Sequence, residues 1–165
     1  MDRRLILLEL NELNFDVVKE YLKLGLSCPN FEKLIANESR ITTSERQYDL
    51  LEPWIQWPSV HTGKTYEEHN IYRLGDAAFK KPTQIFEVIE DHGLTVGAVS
   101  PMNAINRLEQ PKYFIPDPWT ETKSDGSLLS RMLTSALRQA VNDNASEKLN
   151  FVSLIASSKP SMSVL

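Results

Sequence analysis

Eleven residues, Pro53-Trp54-Ile55-Gln56-Trp57-Pro58-Ser59-Val60-His61-Thr62-Gly63, gather a carboxamide, two hydroxyls and an imidazole among two tryptophans and two prolines. They follow neither helical nor strand periodicity, so the stretch reads as the rim of a site rather than a plain connection. Pro58 suits the first turn of a helix, which would put Ser59, His61 and Thr62 in that turn. Free N–H groups and the positive end of the dipole make a helix start a place for phosphate, sulfate or carboxylate. The chemistry this permits is anion binding, with Gln56 as hydrogen bonder, Ser59 or Thr62 as hydroxyl donor or nucleophile, and His61 as general base or metal ligand. Each has a structural alternative: Ser59 and Thr62 as helix caps or first-turn donors, His61 as a structural hydrogen bonder.

The elements that would hold this stretch follow from the pattern on either side of it. Arg4 to Leu10 is short and aliphatic, predicting a buried parallel strand stopped by Asn11-Glu12. Asn14 caps a helix carrying Val17, Val18, Tyr21 and Leu22 and ending at Gly25; Pro29 opens a second helix with Phe31, Leu34 and Ile35 inward. Arg40 to Thr43 predicts a strand, Arg73-Leu74-Gly75-Asp76 a turn, and Lys81-Pro82-Thr83 the start of a helix burying Ile85, Phe86, Val88 and Ile89. That helix closes at His92-Gly93, and Leu94 to Val99 is a further strand. Pro111 to Trp119 reads as a proline-rich loop, and helices are expected behind Ser127 and from about Ser146 to Ala156. The order predicts an α/β fold: a partial, doubly wound, mostly parallel sheet with helices on both faces. Ligands gather beyond the carboxyl ends of such strands, where Asn11-Glu12, the Trp54 to Gly63 stretch and Ser100-Pro101-Met102-Asn103 would converge, with Asn11, Glu12, Gln56 and Ser59 facing one cleft. Glu9, a carboxylate within an aliphatic strand, must there be metal-bound or hydrogen-bonded to a buried partner.

The run from Pro53 to Ile71 resembles the alkaline phosphatase superfamily, in particular its type I phosphodiesterase and nucleotide pyrophosphatase branch. The family pattern is P-T-x-T-F-P-N-H, then T-G, then P-E-S-H-G-I. Pro58 matches its proline, Thr62-Gly63 the T-G pair, and Glu67-Glu68-His69-Asn70-Ile71 its end. Leu5 to Leu13 resembles the first strand and metal-binding turn, and Pro29-Asn30-Phe31-Glu32-Lys33-Leu34 the P-N-L-x-x-L helix. The resemblance implies a metal-dependent phosphoric or sulfuric ester hydrolase or phosphotransferase acting on an anionic ester, with zinc or magnesium in the full-length family. It aligns Asn11 with the first metal-ligating aspartate, with Glu12 one beyond and offering a charged oxygen to a hard ion; the alternative is that Asn11 caps a turn and Glu12 is solvated. It gives His69 a structural role at the turn after the helix.

Two departures qualify what carries over. Gln56 stands at the position of the family's threonine or serine nucleophile and cannot accept a phosphoryl group. The remaining metal ligands of the family include further histidines, and no histidine follows His92. Residues 1–165 are therefore expected to form one incomplete domain, inactive alone, with weak metal binding or none. The alternative is a non-catalytic α/β module that binds an anionic ligand or a protein partner. A net charge of −4 leaves no basic footprint for nucleic acid. One cysteine and no apolar run long enough for a membrane span agree with a cytoplasmic protein. Nothing in the residues specifies an oligomeric state.

Overall fold

A computed structural model describes residues 4–40, 42–43 and 45–146, with side chains to residue 142. The chain divides into two units, Met1–Glu45 and Arg46–Leu165. The second amphipathic run and the tail at 157–161 lie outside the described residues.

In the first unit, α1 (Phe15–Lys23) starts where the Asn14 side chain accepts from the N–H groups of Asp16 and Val17 at 2.9 and 3.2 Å. It ends at Gly25, whose φ of +82° turns the chain so that Leu26 N–H reaches Tyr21 O and Gly25 N–H reaches Leu22 O. Helix α2 (Pro29–Ala36) begins on its proline, and Phe15 and Phe31 meet edge to face at 6.5 Å. Of the apolar stripe expected on α1, Val18 is buried and Leu22 half-buried, while Val17 and Tyr21 are exposed.

Arg4 to Leu10 is not a strand. It runs without regular structure, with Leu5 88% and Ile6 81% exposed. A strand exists only within a ladder, and the ladder among the described residues does not include this segment. Arg40, Thr42 and Thr43 carry no strand either.

The second unit opens with a 3₁₀ turn, Tyr48–Leu50, leading into α3 (Pro53–Thr62), α4 (Tyr66–His69), α5 (Ala77–Lys80) and α6 (Ile85–Asp91). Two parallel strands follow, β1 (Gly97–Val99) and β2 (Tyr113–Ile115), and then α7 (Leu128–Ser146). The strands pair Gly97 with Tyr113, Ala98 with Phe114 and Val99 with Ile115. Bonds from Lys112 N–H to Val96 O and from Ser100 N–H to Ile115 O lengthen the ladder. Residues 113–115, expected as loop, are thus a strand bounded by Pro111 and Pro116. Two apolar clusters form the core: Ile71, Ala77 and Ile105, and Phe86, Val96 and Ala104 with Ile89 and Leu108 against them. Helix α6 starts after its N-cap Gln84, and it buries Phe86 and Glu87 and half-buries Ile89 while Ile85 and Val88 are exposed. The fold is mixed α/β with a two-stranded parallel sheet among the described residues.

Candidate functional site

Pro53 and not Pro58 begins α3, with Glu52 as the N-cap. Ser59, His61 and Thr62 therefore lie in its second half, where helical N–H groups are already committed, and the expected anion site at a helix start does not include them. Ile55, Pro58 and His61 recur every third residue and are buried together. A proline inside a helix removes the N–H that would reach the carbonyl four residues earlier, here Trp54 O. That carbonyl accepts instead from Asn103 Nδ2, at 2.8 Å.

Asn103 is fully buried and left-handed, with φ +51°. Its other amide proton goes to Arg73 O at 3.0 Å, and its Oδ1 accepts from Gly75 N–H at 3.0 Å and Ala77 N–H at 3.3 Å. Asn103 N–H donates to Asp117 Oδ2 at 2.7 Å. The Asp117 carboxylate, also buried, further accepts from Trp119 N–H, Thr120 N–H and the Thr120 hydroxyl at 2.7 to 2.8 Å. Ser100 shares the left-handed geometry at φ +52°. The Ser100-Pro101-Met102-Asn103 loop is thus a strained connection whose conformation is fixed by hydrogen bonds to three other segments.

A hydroxyl of the central stretch does meet an imidazole, but that of His69, which lies beyond the stretch. Ser59 Oγ lies 3.0 Å from His69 Nε2, and Ser59 also donates to Ile55 O at 3.4 Å. Ile71 N–H donates to His69 Nδ1 at 3.0 Å. Since Nδ1 is the acceptor, the neutral ring carries its proton on Nε2 and donates it toward Ser59. A serine activated by histidine needs the opposite tautomer, with Nε2 free to take the hydroxyl proton and Nδ1–H held by an acceptor. Burial lowers the His69 pKa, against the pull of Glu68, and so favours this neutral ring. His69 fixes the turn that joins α4 to Ile71, the structural role read from the sequence.

Gln56 and Thr62 are likewise bound to backbone, and His61 is packed among rings. Gln56 Nε2 donates to Leu50 O at 2.6 Å, tying α3 to the 3₁₀ turn before it. Thr62 Oγ1 donates to Pro58 O at 2.7 Å and accepts from Lys64 N–H at 3.3 Å. His61 is 1% exposed, stacked on Trp57 at 6.3 Å and tilted against Phe86 at 5.3 Å.

Glu9, Asn11 and Glu12 belong to the first unit. Asn11 and Glu12 are exposed, Glu12 with φ +58°, and Glu9 is half-buried in an irregular segment, which removes the full burial cost that singled it out. One amide and two carboxylates fall short of the about six oxygens a hard divalent ion takes. Among the described residues no three His, Cys, Asp or Glu side chains converge, so these residues alone do not make up the ligand set the resemblance implies.

Sequence reasoning placed Asn103 at the candidate cleft and Asp117 in the proline-rich loop without giving either a structural role, and it passed over the Gln84–Glu87 pair. Gln84 Oε1 accepts from Ile105 N–H at 3.0 Å, and Gln84 N–H donates to Glu87 Oε2 at 2.6 Å. Glu87 is buried with its second oxygen unbonded among the described residues, and burial raises its pKa against the Gln84 hydrogen bond and the nearby Arg107. The Gln84-x-x-Glu87 spacing was a readable capping signal, and Asp117 closes a local turn onto Trp119 and Thr120, while Asn103 carried no local signal, because its side-chain partners lie 26 to 49 residues away. No protein-family model, curated protein or solved structure matches this chain.

Proposed function

We propose that the chain is the N-terminal portion of an alkaline phosphatase-like α/β domain, of the doubly wound type, in which the α3 segment is scaffold and this portion performs no ester hydrolysis by itself. The observation that carries the reading is the Ser59–His69 pair: its proton sits on the nitrogen facing the hydroxyl, so Ser59 has no base. Gln56, at the family's nucleophile position, spends its amide on Leu50 O. A larger sheet is supported by the exposed aliphatic run from Leu5 to Leu8 and by Val99 on β1, 64% exposed.

The test is turnover of p-nitrophenyl phosphate and bis-p-nitrophenyl phosphate by the full chain with Zn²⁺, Mg²⁺ or Mn²⁺, beside Ser59→Ala and Glu12→Ala. Rates at background for all three proteins are expected. Metal-dependent turnover abolished by Ser59→Ala would overturn the scaffold reading and make Ser59 a nucleophile.

A further inference from the structure

An open polar groove of about 560 Å³ lies between α7 and the loop before it, lined by Thr122, Ser124, Arg131, Thr134, Arg138 and Gln139 together with Ser135 and Asn142. Positions 131, 134, 138 and 142 recur every three or four residues, so they form one stripe along the helix. The lining holds two guanidinium groups and no carboxylate. Among the described residues neither arginine is ion-paired, and Asp125, the acid next to Ser124, turns its oxygens to Phe114 N–H and Ser127 N–H at 2.7 and 2.8 Å.

We propose that this groove binds the phosphate group of a small phosphorylated polyol. Arg138 donates from Nη2 to Thr120 O at 3.2 Å, but its Nε is buried with no acceptor among the described residues. Two guanidinium groups that line one groove with no carboxylate beside them offer an oxyanion charge-assisted partners there. Thr122 Oγ1 accepts from Asn106 N–H at 2.9 Å and Ser124 Oγ from Gly126 N–H at 3.3 Å, which leaves both hydroxyl protons free to donate. The volume exceeds what a phosphate ion fills and falls within the range of small-ligand sites. The rest of the lining, amides and hydroxyls without an aromatic ring, suits the hydroxyls of a polyol rather than a base that stacks. This site is separate from α3 and independent of the alkaline phosphatase-like reading.

Calorimetric titration of the full chain with inorganic phosphate and with glycerol 3-phosphate, at ionic strength held constant with chloride, tests the proposal. Saturable binding is expected, tighter for the ester, and weakened about tenfold or more by Arg138→Gln and by Arg131→Gln. Arg131 is exposed, so its variant keeps the test valid if Arg138→Gln fails to fold. Absence of saturable binding to both probes, or unchanged affinity in Arg131→Gln, overturns the proposal. Cosedimentation with phosphatidylcholine vesicles carrying phosphatidylinositol 4-phosphate, without binding of either soluble probe, would overturn the soluble ester in favour of a lipid headgroup.

Discussion

A carboxamide offers two protons and two lone pairs, and Asn103 has all four engaged with backbone groups of other segments. Removing it leaves buried carbonyls and amides without partners, so Asn103→Ala is expected to cost about 3 kcal/mol or more, read as a lower urea midpoint at unchanged slope. Asn103→Asp should cost at least as much, since it loses both donors and places a second carboxylate beside Asp117. Two other buried groups give the stability a pH dependence of opposed sign. The folded state holds His69 below its ordinary 6.5, so below that pH the unfolded chain takes up a proton the native one refuses. Its contribution is present above pH 6.5 and lost as pH falls toward the folded value. Glu87 is raised above 4.5, so its contribution is present below that pH and lost as pH rises through the folded value. Urea midpoints between pH 5 and 7 should fall less steeply on acidification in His69→Asn, whose oxygen can still accept from Ile71, while Glu87→Gln should lose the opposing slope.

At the level of elements, α3 reverses the usual effect of a helical proline. An interior proline ordinarily destabilises by about 3 kcal/mol, and its replacement by alanine ordinarily helps. Here a restored N–H at position 58 would compete with Asn103 for Trp54 O and open space where the buried ring packs. Pro58→Ala is therefore expected to lower stability by about 1–2 kcal/mol, with a coupling of about 1 kcal/mol to Asn103→Ala in a double-mutant cycle. This helix also marks how far the sequence could be read. The starts of α1, α2 and α7 and the last three residues of the strand expected at 94–99 were legible because a helix start and a short apolar run are decided within a few residues. The start of α3 was misplaced at Pro58, since the group that makes an interior proline tolerable lies 49 residues away, beyond any local window. Strand β2 was missed for a related reason: prolines on either side read as loop, and only the ladder to Gly97–Val99 makes the three residues a strand.

Across the whole molecule, apolar surface remains uncovered in both units considered singly. Helix α7 leaves Leu128 and Leu129 about two-thirds exposed and Met132 45% exposed, and the first unit exposes Leu5, Ile6 and Leu8. Surfaces of this kind drive association, so sedimentation velocity should show concentration-dependent self-association, reduced in Leu128→Lys/Leu129→Lys. The candidate site was only partly legible at this scale. Ser59 and His69 were visible as residues, but which ring nitrogen faces the hydroxyl depends on Ile71 N–H, a tertiary detail that no motif encodes. The polar stripe of α7 carries no signal in hydrophobic periodicity, which registers only the apolar positions of a helix. The order in which Asn103 and its partners leave the ribosome matters as well. Trp54 is made 49 residues before Asn103, and at about 5–20 residues per second that interval lasts about 2–10 s. During it the nascent α3 carries its proline without the amide that compensates for it, and water must serve the carbonyl until translation delivers the side chain that completes the helix.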